Sequence, residues 1–326
     1  ITITGINDAP VSTAINGSGS EGGTITITLT ATDVDNSNAA GFNFSIVSQP
    51  TNITGSLSIG TVSYSSGTFT AVATYTHNGS EGVSDSFTYK ANDGALNSNI
   101  TTATITITPI NDVPIAVAVN SPSTNEGGTT TYHLTATDPD NSNINTFNFI
   151  IVNQPANGSV TISATPIYAS GTFTAVATYT HNGNETTSDS FTYKVNDGTT
   201  DSNTALSAIS ITAVNDPPVA AAANGSGYEN NSGSNDLITT TLTATDVDNS
   251  DPSNFSFVIV SQPSNISGTV AAIPTPTYTA SSKTFTATAT YTHNGSSFPD
   301  TDSFTYKAYD GTDYSDLVTA AITITA

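Results

Sequence analysis

Apolar and polar residues alternate along most of this sequence with a period of two. From Thr24 to Thr32, isoleucine, leucine or alanine fills every second position, and threonine fills the others. Successive side chains of an extended chain point to opposite faces, so the alternation predicts a β-strand with one buried face. Similar runs, separated by clusters of Gly, Pro, Asn and Asp, predict strands near residues 42–47, 57–64, 68–76, 86–91 and 101–108.

The whole pattern occurs three times along the chain. Tyr-Thr-His-Asn-Gly begins at residues 75, 179 and 291, and Asp-Ser-Phe-Thr-Tyr-Lys begins at residues 85, 189 and 302. An Asn-Asp pair followed by proline two residues later stands before each copy, at Asn7, Asn111 and Asn215. Repetition at a fixed period is the signature of a tandem array.

About seven short strands in about 100 residues are typical of an antiparallel β-sandwich. The sequence therefore predicts an all-β fold class with three tandem antiparallel β-sandwiches in a linear array. The predicted domains are residues 5–109, 110–213 and 214–326. In the first domain, the predicted core aromatics are Phe42, Phe44, Phe69, Tyr75, Phe87 and Tyr89.

Residues 1–4 add a fourth copy of the strand that closes each domain. Ile-Thr-Ile-Thr occurs at residues 1–4, 105–108 and 322–325, with Ile-Ser-Ile-Thr at 209–212. Residues 1–4 are therefore either the last strand of a preceding repeat in a longer array or a strand donated to a neighbouring molecule. The third domain already has its own closing strand, which favours the longer array.

Charge excludes several classes of partner. The chain has 26 Asp and Glu against 4 Lys and Arg, for a formal net charge of -22. This balance argues against binding to nucleic acid or to anionic lipid, because both require basic patches. There is no cysteine for a disulfide or a thiolate metal site. No apolar run approaches the roughly 18 residues of a membrane-spanning helix, so we predict no membrane insertion in this segment.

Many carboxylates recur at the same place in every repeat, close to the linkers. Asp33 and Asp35 would lie on one face of an extended segment, where both could bind one ion. Calcium prefers carboxylate, carbonyl and amide oxygens, which this chain has in abundance. The alternative is that these acids only form turns through their own side chains. The number of carboxylates near each linker favours calcium.

These motifs resemble the calcium motifs of cadherin repeats. The resemblance rests on Asn-Asp-x-Pro between domains, a glutamate near each domain start (Glu21, Glu126, Glu229), Asp-x-Asp, and Asn-Asp-Gly before the last strand. The complete order of phrases is similar to the bacterial cadherin-like tandem repeats of large surface adhesins, over essentially the whole chain. The Leu-Asp-Arg-Glu motif of animal cadherins is missing, and Asp85, Asp189 and Asp302 are the nearest substitutes in sequence order.

The resemblance implies calcium ligands, residue by residue. Those at the first linker are Glu21, Asp85, Asn111, Asp112, Asp138, Asp140 and Asp197. Those at the second linker are Glu126, Asp189, Asn215, Asp216, Asp246, Asp248 and Asp310. Asn7, Asp8, Asp33, Asp35 and Asp93 would form a half site before the first domain, and Glu229 and Asp302 would serve a further linker.

The repeated histidines carry less information than the acids. His77, His181 and His293 each stand in the same turn, and no second nitrogen ligand is near any of them in sequence. A transition-metal site needs more ligands than one imidazole. We therefore predict that these side chains pack within the turn.

The predicted function is non-enzymatic, because the notable polar residues occur three times rather than once in a single cleft. The resemblance implies an extracellular, calcium-stiffened rod or spacer of a prokaryotic cell-surface adhesin or fibre. The alternative is a subunit of a self-assembling filament or surface layer, in which exposed strands such as 101–108 pair between chains. Expected partners are neighbouring repeats, other copies of the chain, surface glycans or other cell-surface proteins.

Overall fold

The computed structural model describes residues 5–228, 237–267, 269–295 and 301–325. The predicted strand at residues 1–4 and the predicted ligand Glu229 lie outside these residues. The described residues form strands, turns and loops, and none of them is helical. Accordingly, no helix suited to crossing a membrane is found there.

Repeat 1 consists of two facing sheets. Its strands are β1 (Val11–Ser12), β2 (Ile15–Ser20), β3 (Thr24–Thr32), β4 (Asn43–Ser48), β5 (Ser58–Ile59), β6 (Ser63–Ser65), β7 (Thr68–Thr76), β8 (Ser84–Asn92) and β9 (Thr101–Thr108). One sheet has the order β1-β3-β7-β5, with β6 also paired to β7, and the other has the order β2-β9-β8-β4. The pairs are antiparallel except β2 with β9, which is parallel.

Repeat 2 has the same arrangement of strands. They are β10 (Ile115–Ala116), β11 (Val119–Asn125), β12 (Thr129–Thr137), β13 (Asn148–Asn153), β14 (Gly158–Ile162), β15 (Ile167–Ala169), β16 (Thr172–His181), β17 (Ser188–Asn196) and β18 (Ala205–Thr212). The sheets run β10-β12-β16-β14, with β15 on β16, and β11-β18-β17-β13.

Repeat 3 joins its two sheets along one edge. Its strands are β19 (Val219–Ala221), β20 (Ala223–Tyr228), β21 (Leu237–Thr245), β22 (Ser256–Ser261), β23 (Thr277–Thr279), β24 (Thr284–Thr292), β25 (Thr301–Tyr309) and β26 (Val318–Thr325). Strand β20 pairs with both β26 and β21, so one curled sheet runs β22-β25-β26-β20-β21-β24-β23.

Each repeat encloses its own hydrophobic core, which confirms the predicted all-β class of tandem sandwiches. All six predicted aromatics of repeat 1 are buried. Phe42 stacks on Phe69 across the sandwich with ring centroids 3.7 Å apart, and the equivalent rings of the other repeats stack in the same way. The exact domain boundaries stay predictions.

Strand β2 was not predicted, because its sequence Ile-Asn-Gly-Ser-Gly-Ser has almost no apolar side chains. Its glycines face the core. A Cβ atom at Gly17 would lie 2.7 Å from Ile27, and one at Gly19 would lie 2.4 Å from Ile25. The isoleucines of β3 therefore fill the space that side chains of β2 would otherwise occupy, and glycine is required by close approach.

Residues 101–108 were expected to form an exposed strand free to pair between chains, and this expectation was wrong. Strand β9 lies inside its sheet, between β2 and β8, because the chain segment 15–20 covers its outer side. The edge strands of these sheets include β4, β13 and β22, and each of these three has a register irregularity after its fourth residue. Such bulges hinder pairing between edge strands of different molecules.

Candidate metal sites between the repeats

Each linker Asn-Asp pair lies on the loops of the repeat that follows it. Asn111 Nδ2 donates to Asp197 Oδ2 at 2.9 Å, and the backbone N–H of Asp112 donates to Asp140 Oδ2 at 3.2 Å. The corresponding distances are 2.9 and 2.6 Å where Asn215 and Asp216 meet Asp310 and Asp248. At the start of the chain, Asn7 with Asp93 and Asp8 with Asp35 make the same contacts at 2.8 and 3.0 Å. The structure thus brings the linker residues to the predicted acids in every repeat.

The first acid of each Asp-x-Asp motif has one oxygen in a turn and one without a hydrogen-bond partner. Asp138 Oδ1 accepts the backbone N–H groups of Asp140 and Asn141 at 3.2 and 3.0 Å. Asp138 Oδ2 is buried and has no partner, and the same is true of Oδ2 of Asp33 and Asp246. A buried carboxylate oxygen normally has a hydrogen-bond or metal partner, and these three oxygens have no hydrogen-bond partner among the described residues.

The aspartate of the Asn-Asp-Gly motif, which is Tyr-Asp-Gly in repeat 3, is held in place by hydrogen bonds. Asp197 Oδ1 accepts the backbone N–H groups of Thr199 and Thr200 at 2.6 and 2.7 Å. Burial opposes ionisation of Asp197, but the hydrogen bonds from Thr200, Asn111 and Thr199 outweigh it and lower its pKa. The pKa values of Asp93 and Asp310 are lowered as well. These three aspartates are therefore held as anions in a fixed orientation.

Two compact clusters of acids join consecutive repeats. Glu21, Glu81 and Asp112 form one cluster, and Glu126, Glu185 and Asp216 form the other. Within each cluster, one carboxylate oxygen of every residue lies within 4.8 Å of those of the other two. Glu21 Oε2 accepts the backbone N–H of Ile110 at 3.2 Å, which ties repeat 1 to the linker. Glu126 Oε1 is a further buried oxygen without a partner.

We use the name junction 1 for Glu21, Glu81, Asn111, Asp112, Asp138, Asp140 and Asp197. Junction 2 comprises Glu126, Glu185, Asn215, Asp216, Asp246, Asp248 and Asp310. Each junction therefore combines acidic and amide side chains from one repeat, its linker and the next repeat.

Electrostatic repulsion at the junctions is visible in the ionisation of the acids. Burial and the neighbouring Glu21, Asp112 and Asp140 raise the pKa of Glu81 to about 6. Burial, together with Asp140, raises the pKa of Asp138 to about 6. The pKa values of Asp33, Asp246 and Glu185 are also raised, chiefly by burial. Near neutral pH these carboxylates repel one another unless a cation neutralises them.

Asp85 and Asp189, which were predicted as ligands, lie outside these clusters. Asp85 accepts the backbone N–H groups of Thr51, Asn52 and Ser86 at 2.8 to 3.0 Å and the hydroxyl of Tyr75 at 3.1 Å. Burial opposes its ionisation, but these hydrogen bonds prevail and lower its pKa. Asp189 and Asp302 accept equivalent bonds within their own repeats.

Glu81 and Glu185 are the acids that the sequence analysis missed. Each follows the repeated Asn-Gly turn by two residues, so a signal was present in repeats 1 and 2. It was weak because repeat 3 has Ser297 at that position. Glu81, not Asp85, takes part in the cluster, because Asp85 is already saturated by hydrogen bonds inside repeat 1.

Structural comparison identifies the architecture. The first structure compared, protocadherin gamma B2 extracellular cadherin domains 1–5, has a TM-score of 0.58 at 17% identity; the match covers 99% of this chain and 61% of that one. Mouse cadherin-23 EC22–24 has a TM-score of 0.58 at 18% identity, with 98% of this chain and 99% of that one covered. Protocadherin gammaB7 EC3–6, described as a cis-dimer structure, has a TM-score of 0.58 at 16% identity, with 98% and 74% covered. These likenesses establish a cadherin-like fold.

Sequence comparison identifies the family. No curated protein matches the sequence. The Bacterial Ig domain family matches residues 7–108 and 111–210, which correspond to repeats 1 and 2. This match agrees with the tandem sandwiches and with the motifs that recur at the same place in every repeat. The chain therefore belongs to the Bacterial Ig domain family, and its repeats have a cadherin-like fold.

Proposed function

We propose that calcium ions bind at junction 1 and junction 2 and hold consecutive repeats at a fixed angle, so that the chain serves as a stiff extracellular spacer of a bacterial surface adhesin or fibre. The observation that carries this proposal is the buried, unpartnered Oδ2 of Asp138 and of Asp246. Each shares a turn with the aspartate, Asp140 or Asp248, that accepts the backbone N–H of the linker aspartate. Asn7, Asp8, Asp33, Asp35 and Asp93 would supply half of a similar site.

The residues present fit calcium better than other ions. All donors at the junctions are carboxylates, amides or backbone carbonyls, and calcium binds about six to eight such oxygens in flexible geometry. Ions that prefer nitrogen or sulfur would find no thiolate in this chain. The alternative, that Asp138 only forms a turn, explains the hydrogen bond that Oδ1 accepts. It does not explain why Oδ2 is buried without a hydrogen-bond partner.

The mechanism follows from electrostatics. Without cations, Glu21 and Glu81 of repeat 1 repel Asp112 of the linker and Asp140 of repeat 2, so the linker would bend freely. A divalent cation held by these groups would turn the repulsion into attraction and restrict the angle. Ions that bind the folded array and not the unfolded chain also stabilise it, by about 2.7 kcal/mol for each site at a hundredfold excess over Kd.

An extracellular location is supported by the family and by the fold shared with extracellular cadherin domains. We assign the chain a structural role because its acids are distributed along three repeats. The same fold occurs in a protocadherin cis-dimer, so contacts with neighbouring repeats or with other copies of the chain are the partners we favour over glycans or other surface proteins.

The alternative role as a filament subunit requires strand pairing between molecules. The edge strands β4, β13 and β22 expose apolar residues, among them Val47, Val152 and Val260. However, each carries the register irregularity noted above. The irregularities of these three strands favour the spacer.

Sedimentation velocity in calcium and in chelator at matched ionic strength, combined with calorimetric calcium titration, tests both roles. A spacer would remain a monomer whose frictional ratio changes when calcium is added. A filament subunit would gain mass in a ladder or a fast boundary. Absence of calcium binding would contradict the proposed sites and return the acids to a role in turns.

A further inference from the structure

The repeated histidines are buried beside the turns that carry the junction glutamates. His77 is 2% exposed and His181 is 3% exposed. Two turns meet at each ring. In repeat 1, one turn follows β2 and contains Glu21, and the other follows β7 and contains Glu81. The function proposed above leaves these imidazoles without a role.

One ring nitrogen connects the two turns. Nδ1 of His77 accepts the backbone N–H of Gly22 at 3.2 Å and that of Gly79 at 3.2 Å. Gly22 is adjacent to Glu21, and Gly79 is two residues from Glu81. Both glycines have positive φ, 64° and 78°, which side chains rarely tolerate. The turns are thus built to present their N–H groups to the ring.

Repeat 2 has the same arrangement at junction 2. Nδ1 of His181 accepts the backbone N–H groups of Gly127 and Gly183 at 3.1 and 3.2 Å. Because Nδ1 accepts two hydrogen bonds, the ring proton must be on Nε2. The contact of Nε2 with Thr186 Oγ1 at 3.1 Å fits this tautomer, since the hydroxyl of Thr186 can donate onward to Asn184 Oδ1 at 2.8 Å.

We propose that His77 and His181 are positioning residues, each of which holds a pair of glutamates close enough to share one cation. This inference rests on the calcium binding proposed above. The ladder of β3 and β7 ends at the pair Thr24–Thr76, and the backbone N–H of His77 donates to Gly23 O at 2.9 Å, so the bases of the two turns are already joined. The two bonds to the His77 ring extend this connection to the backbone next to the glutamates. Residues that orient metal ligands through hydrogen bonds typically change metal affinity by about 10- to 100-fold.

Repeat 3 provides a matched control. His293 is 1% exposed, and its Nδ1 accepts the backbone N–H of Gly295 at 3.3 Å. In the sequence, Ser297 stands four residues after His293, where repeats 1 and 2 have Glu81 and Glu185. Substitution of His293 should therefore carry the cost of removing a buried imidazole without affecting junction 1 or junction 2.

The test compares variants of the full chain by calorimetric titration with calcium. His77→Phe removes the acceptor and should weaken junction 1 by about 10- to 100-fold, with junction 2 unchanged. His77→Asn retains an acceptor near the position of Nδ1 and should recover most of the affinity. His293→Phe should leave both junctions as in the wild type. If His77→Phe fails to fold, His77→Gln replaces it, because its acceptor lies one bond farther from the backbone.

A second measurement does not depend on calcium. In metal-free protein, ¹⁵N NMR should show His77 with its proton on Nε2, and the amide protons of Gly22 and Gly79 should exchange slowly in the wild type and in His77→Asn. Calcium binding that is equal in the wild type and His77→Phe would overturn the positioning role while leaving the calcium proposal intact. Calcium binding to junction 1 that is as weak in His77→Asn as in His77→Phe would also overturn the positioning role. A wild type that binds no calcium would refute the proposed function itself.

Discussion

Junction 1 and junction 2 share one backbone arrangement and differ in charge. At junction 1, Asn111 Nδ2 donates to Asp197 Oδ2 at 2.9 Å and to Thr200 Oγ1 at 3.2 Å. At junction 2, Asn215 Nδ2 donates to Asp310 Oδ2 at 2.9 Å and to Asp313 Oδ2 at 3.2 Å. A carboxylate thus replaces a hydroxyl at an equivalent place.

The difference teaches that the repeats preserve the positions of the acids while the number of charges varies. Calcium affinity is tuned by the number of charged ligands and by the rigidity of the site. The extra carboxylate of Asp313 should therefore make junction 2 the tighter site. A gradual rise in calcium would then stiffen the array one junction at a time.

The largest expected effect comes from removing both acids of one Asp-x-Asp motif. Asp138→Ala with Asp140→Ala takes two carboxylates from junction 1, including the buried Oδ2 without a partner. Calcium binding at junction 1 should be lost, junction 2 should be unchanged, and each sandwich should stay folded. Calorimetry gives the number of sites, and X-ray scattering gives the distribution of angles between repeats.

Asp33→Ala with Asp35→Ala is the matched control for this double variant. It removes the same motif from repeat 1, and neither Asp33 nor Asp35 belongs to junction 1 or junction 2. Both junctions should keep their calcium affinity in this control. An unchanged number of sites and an unchanged angle distribution after substitution of Asp138 and Asp140 would reject junction 1 as a metal site.

The next effect is a dependence of stability on pH that calcium reverses. The pKa values of Glu81 and Asp138 are about 6 in the folded chain and about 4 when unfolded. The folded chain therefore holds these protons more tightly, and its stability should fall as pH rises from about 4 through 6. Below that window, the acids with lowered pKa values, such as Asp85 and Asp310, become protonated and stability should fall again.

Thermal unfolding at pH 5 and pH 7.5, with and without calcium, checks this dependence. Metal-free chain should melt at a higher temperature at pH 5, and calcium-loaded chain should melt at a higher temperature at pH 7.5, because protons compete with calcium for the same oxygens. Melting temperatures that are the same with and without calcium at both pH values would contradict the proposed calcium sites.

The smallest expected effect tests the difference between the junctions directly. Thr200→Asp should raise the calcium affinity of junction 1, and Asp313→Thr should lower that of junction 2, each by a few-fold, since exposed charges interact weakly in water. The two affinities should exchange order in the double variant. Titration at low and high salt checks the electrostatic origin, because the difference should shrink as salt rises. Identical affinities in all four proteins would contradict tuning by this carboxylate.

The strands could be predicted where apolar side chains alternate, as in β3 and β7. Strand β2 could not, because glycines at its inward positions make room for Ile25 and Ile27 of the neighbouring strand. That fit is a property of two strands packed together, and the alternation of one strand carries no trace of it. Likewise, the sequence placed acids near the linkers but could not distinguish Glu81 from Asp85, four residues farther along.

The sequence by itself determined the three repeats, the period-two strands and the accumulation of acids near Asn111 and Asn215. These features are local, so they can be read from residue types and spacing. The tertiary structure decided which acids meet. Hydrogen bonds from Thr51 and Asn52 occupy Asp85 inside repeat 1. In contrast, the position of the linker brings Asp112 close to Glu21 and Glu81, which are distant in sequence. Contacts between distant segments depend on how the repeats and their linker pack, and residue order does not encode that directly.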